Sequence, residues 1–154
     1  MSFFYGGIMI IYTDASFDEK RKVGGWGLIK ENNGNLGKPI SNFDKFESIN
    51  EAELYAIYEA CILAGGSKCE IITDSQSALS YIHNNVKDKP RTREQYIRHK
   101  RCEFLAYKIR KFTNCTFTKT KGHTNYYQRK SIGNRMADDS ARYGLAKYYE
   151  SLSR

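Results

Sequence analysis

The residues of this sequence best suited to chemistry are carboxylates that follow apolar runs. Asp14 follows the run at residues 7–13, and Asp74 follows the run at residues 68–73. Both runs predict buried strands, and open α/β sheets form their sites at the carboxyl ends of strands. Taken singly, each aspartate is better explained as the start of a turn or as a helix cap. The pair becomes informative only together with other acidic residues.

Glu53 lies in the apolar stripe of a helix predicted at residues 50–65, with Asn50 as its N-cap. A carboxylate in such a stripe costs several kcal/mol unless it is paired or bound to a cation. Glu51 and Glu59 fall on the opposite side and need no special explanation. A buried basic partner is the alternative for Glu53, but the neighbouring strands offer no obvious candidate, so we favour a metal site. The stripe itself consists of Ile57, Ala60, Cys61 and Ala64.

A final helix, predicted at residues 134–149, carries Asp138 and Asp139. Asp138 lies near the edge of the helix's apolar stripe and Asp139 points almost opposite, so Asp138 is the one expected to face the sheet. An acidic pair in a first turn also suits the helix dipole. His123 follows the last predicted strand. A lone loop histidine is usually a solvated surface residue, and it gains interest only if the carboxylates converge nearby.

Carboxylates without a set of cysteines or histidines favour Mg²⁺ or Mn²⁺ over zinc. Two such ions about 4 Å apart activate a water and stabilise a leaving 3′-oxygen in phosphodiester cleavage. The chain is also basic, with a net charge of +8 and a pI near 9.3. Ten lysines and arginines lie between Lys87 and Lys111, opposed by three acidic residues. This charge fits a polyanion partner or a solvated basic face; with the metal site, it indicates a nuclease.

Length and composition predict one soluble domain over residues 1–154. The 154 residues are 40% apolar and 27% charged, with only two prolines. No apolar run approaches the length of a membrane span, and the first residues do not resemble a secretory signal. We therefore expect a cytoplasmic protein without membrane contact. The four cysteines lack the spacing of zinc ligands and are expected to be reduced, buried thiols.

The pattern of elements predicts an α/β fold in which an antiparallel meander precedes strands that alternate with helices. The sheet is therefore expected to be mixed and to carry helices packed on it. A hairpin turn is predicted at residues 32–35, and the helix at 92–112 is expected to present one face through Ile97, Arg101, Leu105, Ile109 and Phe112. The remaining predicted elements are strands at 24–30, within 38–46 and at 115–120, and a helix from just after Ser75 to about residue 84.

Five segments, in order and at similar spacing, together resemble type 1 ribonuclease H over nearly the whole chain. The resemblance implies a ribonuclease H-like fold with a five-stranded mixed sheet flanked by helices. It also implies two Mg²⁺ ions, with Mn²⁺ as a possible substitute, bound by Asp14, Glu53, Asp74 and Asp138, while His123 assists proton movement or product release. The implied reaction cuts the RNA strand of an RNA–DNA hybrid to 3′-hydroxyl and 5′-phosphate ends. The segments are Thr13-Asp14-Ala15-Ser16, residues 50–54, Thr73-Asp74-Ser75, Lys121-Gly122-His123 and residues 134–138.

The resemblance also implies that the nucleic-acid backbone is held near the carboxylates and by a basic segment. The family's protrusion is rich in tryptophan, whereas residues 85–93 are short, basic and without tryptophan. The stretch between His123 and Asp138 is longer than usual. We hypothesise that Tyr126, Tyr127, Arg129 and Lys130 in this loop add stacking and phosphate contacts. The residues expected to bind nucleic acid are Ser16, Ser48, Asn50, Lys87, Lys89, Arg91 and Arg93; Ile49 stands where a second asparagine is common.

Three other readings compete with a hybrid-cleaving enzyme. One is a nuclease of the same fold that prefers DNA or branched substrates, which the segments around His123 and Asp138 disfavour. Another is a catalytically silent nucleic-acid-binding module, which would have no reason to keep four carboxylates facing the core. A basic structural protein leaves Glu53 unexplained. No obligatory protein partner is evident, and we expect a monomer.

Overall fold

A computed structural model describes residues 9–120 and 129–153, with the side chains of the second stretch described from Ile132 onward. Six strands and four helices are present in these ranges. The strands are β1 (Met9–Asp18), β2 (Val23–Asn32), β3 (Asn35–Leu36), β4 (Ile40–Lys45), β5 (Cys69–Thr73) and β6 (Cys115–Lys119). The helices are α1 (Ile49–Ala64), α2 (Gln76–Ile82), α3 (Arg93–Arg110) and α4 (Arg129–Leu152).

The strands form one mixed sheet with the order β3-β2-β1-β5-β6, and β4 also pairs with β2. β1 is antiparallel to β2 and parallel to β5, which is parallel to β6. The predicted α/β architecture with a mixed sheet is confirmed. The sheet has six strands because the two-residue strand β3, which was not predicted, precedes the third predicted strand, which forms as β4. Pro39, which has no backbone N–H to donate to a strand ladder, lies between them.

β1 is longer than the sequence predicts, because its two neighbours end at different places. Its parallel pairing with β5 ends at Tyr12, opposite Ile72, whereas its antiparallel pairing with β2 continues to Asp18. The predicted hairpin turn between β2 and β3 is confirmed. Asn33 and Gly34 have φ values of 50° and 86°, as a two-residue turn matching the twist of the strands requires.

The two faces of the sheet are covered differently. One face packs on α1, which α3 covers in turn, and the larger core that joins them includes Ile11, Leu54, Ile57 and Ile71. The other face packs on α4 through a small core of Tyr12, Ile29, Ile72 and Ala137. Because side chains alternate along a strand, neighbouring residues of β1 point into different layers.

Three helix predictions need correction. Ser48, and not Asn50, caps α1, because its side chain accepts a hydrogen bond from the Glu51 N–H at 3.2 Å. α4 begins at Arg129, five residues before its predicted start. The predicted face of α3 is wrong at its amino end, where Ile97 is 40% exposed. The buried residues of α3 are Cys102, Leu105, Ala106 and Ile109.

The four cysteines are free and buried, as predicted. They belong to the larger core, with Cys61 on α1, Cys102 on α3, and Cys69 and Cys115 directly opposite each other on β5 and β6. None of the helices in the two described ranges has the length and apolar character that crossing a bilayer requires.

Candidate active site

Three of the predicted carboxylates converge where β1 separates from β5. Asp14 lies in β1, Glu53 lies in the second turn of α1, and Asp74 follows β5 directly. Each offers one carboxylate oxygen, and these oxygens all lie within 4.8 Å of one another. Asp14 and Glu53 are each only 8% exposed, whereas Asp74 is exposed to solvent. The cluster is therefore closed on the protein side and open on one side.

Hydrogen bonds between side-chain oxygens and backbone groups hold this cluster in place. The Thr13 hydroxyl donates to the Ile72 carbonyl at 3.3 Å, one residue beyond the last parallel pair of β1 and β5. The Thr73 hydroxyl accepts from the Ser75 N–H at 3.1 Å, which fixes the turn that contains Asp74. Asp14 accepts from the Ala15 N–H at 2.9 Å. The carboxylates are thus placed by the ends of the strands.

Burial and mutual repulsion disfavour the charged forms of these carboxylates. Burial raises the pKa of Asp14 to about 7, and the nearby charge of Asp74 adds to the effect. Burial also raises the pKa of Glu53 well above its usual range, again with contributions from Asp14 and Asp74. The Glu53 Oε1 atom is buried and has no hydrogen-bond partner within the described residues. A bound divalent cation fits this arrangement, because it would satisfy that oxygen and offset the repulsion.

Asp138 lies on α4, which packs on the other face of the sheet from α1. Its carboxylate helps to raise the pKa of Asp14, but it also pairs with Arg142, 3.2 Å from the Arg142 Nη2 atom. Asp138 is half-buried, and Asp139 is exposed, as the periodicity of the helix predicts. Asp138 is not one of the three carboxylates whose oxygens lie within 4.8 Å of one another. It therefore lies at the border of the cluster.

Glycine allows α4 to lie close to the strand that positions Asp14. Gly27 of β2 is directly opposite Asp14 in the sheet. A Cβ atom at Gly27 would lie 2.5 Å from the Ser140 Cβ and 2.6 Å from the Ala141 backbone nitrogen, distances that do not occur in proteins. Both residues are in the turn of α4 that follows Asp138. The absence of a side chain at Gly27 therefore brings Asp138 towards Asp14.

Glu51 is a correction to the sequence analysis, since it is buried and not on a solvent-facing side. Its Oε2 atom pairs with Arg101 of α3 at 2.8 Å, and its Oε1 atom accepts from the Glu47 N–H at 2.7 Å. α1 is covered by the sheet on one side and by α3 on another, so both glutamates become buried. The pattern Ser48-x-x-Glu51, in which the two side chains cap the helix reciprocally, could have revealed the role of Glu51.

The residues expected to bind nucleic acid lie on β1, at the start of α1, and between α2 and the start of α3. Ser16 and Asn50 are half-buried, Ser48 already caps α1, and Arg93 begins α3. Lys87 and Lys89 line an open cavity of about 410 Å³ between α2 and α3. Arg91 and Arg93 are exposed, and Arg91 donates its backbone N–H to Gln95 at 2.9 Å. The structure therefore leaves the basic side chains of residues 87–93 largely accessible.

A histidine that the sequence analysis did not single out borders the same cavity. His99 Nδ1 lies 3.0 Å from the Tyr81 hydroxyl, and its Nε2 lies 3.1 Å from Glu103. The signal in the sequence is the i,i+4 spacing of His99 and Glu103 on a helix.

Several predictions fall on residues without a described structure. His123, Tyr126 and Tyr127 lie outside the described residues. Arg129 and Lys130 are in the first turn of α4, so the predicted loop before Asp138 is wrong for these two positions. The extended helix takes up residues that the sequence analysis assigned to a loop.

Solved structures with a similar fold include two proteins named RNase H1 and one viral protease-reverse transcriptase. RNase H1 from the halophilic archaeon Halobacterium salinarum NRC-1 superposes with a TM-score of 0.68 at 16% identity, over 92% of this chain and 99% of that chain. LC11-RNase H1, solved in complex with an RNA/DNA hybrid, gives a TM-score of 0.61 at 19% identity, over 92% of this chain and 99% of that chain. The protease-reverse transcriptase of prototype foamy virus gives 0.64 at 22% identity, over 88% of this chain but only 20% of the viral one.

At these identities the structural likeness establishes the fold alone. A search of curated proteins found no match to the sequence. The family follows from the sequence itself, since a profile described as RNase H matches residues 7–146. That match includes the three converging carboxylates, Asp138 and the glycine that brings α4 close to them. The chain therefore belongs to the RNase H family and is a ribonuclease H, a hydrolase of nucleic acid.

Proposed function

We propose that this protein hydrolyses the RNA strand of RNA–DNA hybrids at the cluster formed by Asp14, Glu53 and Asp74, with Asp138 as a fourth acidic residue. The observation that carries the proposal is the convergence of three carboxylate oxygens within 4.8 Å of one another. One of the three residues, Glu53, has a buried oxygen without a hydrogen-bond partner in the described structure. Such a cluster is costly to the fold and is explained by a bound cation.

Asp14, Glu53, Asp74 and Asp138 are the residues that would hold two Mg²⁺ ions, or Mn²⁺ in their place. When bound, the ions supply an acidified water for attack and stabilise the leaving 3′-oxygen, giving 5′-phosphate and 3′-hydroxyl ends. The nearby charges of Asp74 and Asp138 contribute to raising the pKa values of both Asp14 and Glu53, so the four carboxylates interact as one group. The exposed Asp74 and half-buried Asp138 border the open side, where a phosphodiester would enter.

The remaining residues are proposed to position the substrate. Ser16, Ser48 and Asn50 lie near the cluster in sequence or on the same helix end, where they would contact the sugar-phosphate backbone. The basic side chains at 87–93 would contact phosphates further along the duplex. His123 is proposed to assist proton movement or product release. Selectivity for a hybrid would come from duplex shape and the RNA 2′-hydroxyl, as is usual when proteins recognise A-like helices. The hybrid bound to LC11-RNase H1 supports this substrate.

The proposal is tested with one end-labelled RNA of about 18 nucleotides, long enough for contacts across a groove. It is paired with DNA, paired with RNA, or left single, in Mg²⁺, Mn²⁺ or EDTA. We expect metal-dependent cutting of the hybrid alone, lost in Asp14→Asn and retained in Asp139→Asn, the matched change at an exposed aspartate of α4. Tight hybrid binding without cutting in either metal would favour the silent binding module, and cutting that persists in Asp14→Asn would place the site elsewhere.

A further inference from the structure

The outer face of α3 carries large aromatic side chains that the core does not use. Tyr96, Phe104 and Tyr107 are 52%, 62% and 54% exposed. Together with the lysines between them they form an aromatic–lysine stripe, on the side of α3 opposite its buried residues. At 1.5 Å per residue the stripe extends over about 22 Å. Its members are Tyr96, Lys100, Phe104, Tyr107, Lys108 and Lys111.

Each lysine of the aromatic–lysine stripe lies over an aromatic ring. The Lys108 Nζ atom is 4.4 Å from the ring centre of Tyr58 on α1 and 5.2 Å from that of Phe104. Lys111 lies 4.5 Å from Tyr107, and Lys100 lies 5.5 Å from Tyr96. These cation–π contacts hold the ammonium groups beside the rings, so charge and aromatic surface are presented together.

The charge of α3 and the residue after it favours a polyanion as the occupant. Residues 93–111 contain seven lysines and arginines and two glutamates, which is a net charge of +5 out of the +8 of the chain. Part of this charge is neutralised, since Arg101 pairs with Glu51 and Lys100 lies 3.3 Å from Glu103. Lys108 and Lys111 have no carboxylate partner among the described residues, and their charge is available to an external phosphate.

The rings decide which polyanion fits best. Exposed aromatic side chains stack on unpaired bases, and lysines beside them contact the phosphates of the same strand. A duplex has its bases stacked on one another and would use the lysines alone. An acidic protein segment would likewise leave the rings without a role. The combination is therefore specific to a single strand.

The aromatic–lysine stripe leads away from the carboxylate cluster. Arg101 of α3 pairs with Glu51, two residues before Glu53, whereas Lys108 lies over Tyr58, further along α1. α1 and α3 therefore run in the same direction, and beyond Arg101 the stripe continues towards the carboxyl end of α1. We infer that the outer face of α3 binds single-stranded nucleic acid, as a second surface for an unpaired extension of a strand. This binding requires neither metal nor cleavage, so its test is independent of the proposed activity.

Binding is measured by the fluorescence anisotropy of a labelled oligothymidylate of about 12 nucleotides, a length within the range of known single-strand sites, with the whole protein in EDTA. The triple variant Tyr96→Ser, Phe104→Ser, Tyr107→Ser is expected to raise Kd at least tenfold. The matched control is Tyr143→Ser, because Tyr143 on α4 is 62% exposed and has Lys147 at 5.1 Å from its ring, yet lies outside the stripe. The control should bind as the unchanged protein does.

Two further variants separate stacking from charge. Phe104→Tyr with Tyr107→Phe keeps the rings and should keep the affinity. Lys100→Gln, Lys108→Gln and Lys111→Gln together should reduce the slope of log Kd against log salt by about 2, since roughly 0.7 counterions are released per phosphate contact on a single strand. Circular dichroism confirms that each variant is folded.

An affinity that the ring-free triple variant leaves unchanged would overturn the inference. The same holds if the protein binds the oligonucleotide and its duplex equally and both respond only to the lysine changes, because the surface would then be a general basic face. Tighter, ring-dependent binding of a poly-glutamate peptide would assign the surface to an acidic protein instead.

Discussion

Glu51 and Glu53 are two residues apart on one helix, and both are buried, but their carboxylates meet opposite environments. Glu51 has Arg101 at 2.8 Å and a backbone N–H at 2.7 Å. Glu53 has one oxygen without a hydrogen-bond partner in the described structure, and its charged neighbours are Asp14 and Asp74. The first carboxylate joins α1 to α3, whereas the second adds to a repulsive cluster. Burial alone therefore does not identify a functional carboxylate; the identity of its neighbours does.

This repulsion predicts a pH-dependent stability for the metal-free protein. The folded-state pKa of Asp14 is raised from its ordinary value of 3.8 to about 7. Folding therefore favours the protonated form, and the contribution of Asp14 to stability is greatest below pH 4 and is lost as the pH rises to about 7. A pKa shift of one unit corresponds to about 1.4 kcal/mol, so the free energy of unfolding should fall by a few kcal/mol over this pH range.

Asp14→Asn removes this pH-dependent contribution. In EDTA, the Tm of the variant minus the Tm of the unchanged protein should therefore increase as the pH rises from 4 to 7. Thermal unfolding followed by circular dichroism measures the difference at each pH. Asp139→Asn, at an exposed position of α4, is the control and should give no such trend. Parallel stability curves for Asp14→Asn and the unchanged protein would contradict the pKa assigned to Asp14.

At the scale of elements, the site depends on how closely α4 lies against the sheet. Gly25 and Gly27 of β2 both face the backbone of α4, and Gly144 of α4 faces the backbone of Asn42 in β4. Glycine on both surfaces removes the side chains that would separate a helix from a sheet. α4 carries Asp138, so this packing determines where the fourth carboxylate lies.

Gly27→Ala is expected to displace α4, because the new Cβ would collide with Ser140 and with the Ala141 backbone nitrogen at 2.5 and 2.6 Å. Overpacking of this kind costs roughly 1–3 kcal/mol. Urea unfolding measures that loss, and hybrid cleavage should fall further than the unfolded fraction explains, because Asp138 moves. Gly37→Ala is the control, since its Cβ would meet only the Lys30 carbonyl oxygen at 3.2 Å. If cleavage by Gly27→Ala stays normal per folded molecule, Asp138 is not required at its present position.

The same elements show what the sequence can and cannot predict. Asn33-Gly34 predicts its turn because the two residues tolerate positive φ, and the apolar stripe beside Glu53 predicts burial because a helix repeats every 3.6 residues. Both are local properties. The last helix was expected to begin at residue 134, yet Gly133 already lies inside α4, where a Cβ would collide with the ring of Tyr12. The residue that requires glycine there is 121 positions away in the chain.

Two other differences have the same physical origin. Nothing near Asp14 in sequence indicates that β2 continues to pair with β1 as far as Asp18, after β5 has ended. Glu51 is buried only because α3 packs over it. The cluster of Asp14, Glu53 and Asp74 was nevertheless predictable, since each residue carries its own local signal at the end of a strand or in an apolar stripe. Contacts between distant elements decide the rest.

At the scale of the whole molecule, the larger core joins α1, α3 and the parallel strands into one body. It includes residues from every element between β1 and β6 except the short β3 and the exposed β4. The four cysteines belong to this core, where they are 0–7% exposed, and they lie on four different elements: α1, β5, α3 and β6. Burial also raises the pKa of the Cys69 and Cys102 thiols to about 12, which suppresses the reactive thiolate.

The chemical labelling of these buried thiols can measure how often the core opens. A thiol reagent can reach them only when the core opens, so the rate of labelling reports the frequency of that event. We expect all four to react with one shared rate in native buffer, followed by mass spectrometry of quenched samples, and at once in denaturant. Early labelling of Cys102 alone would mean that α3 detaches first. In that case α3, which carries the aromatic–lysine stripe, would detach from the core and return independently, while the sheet and its carboxylates stayed in place.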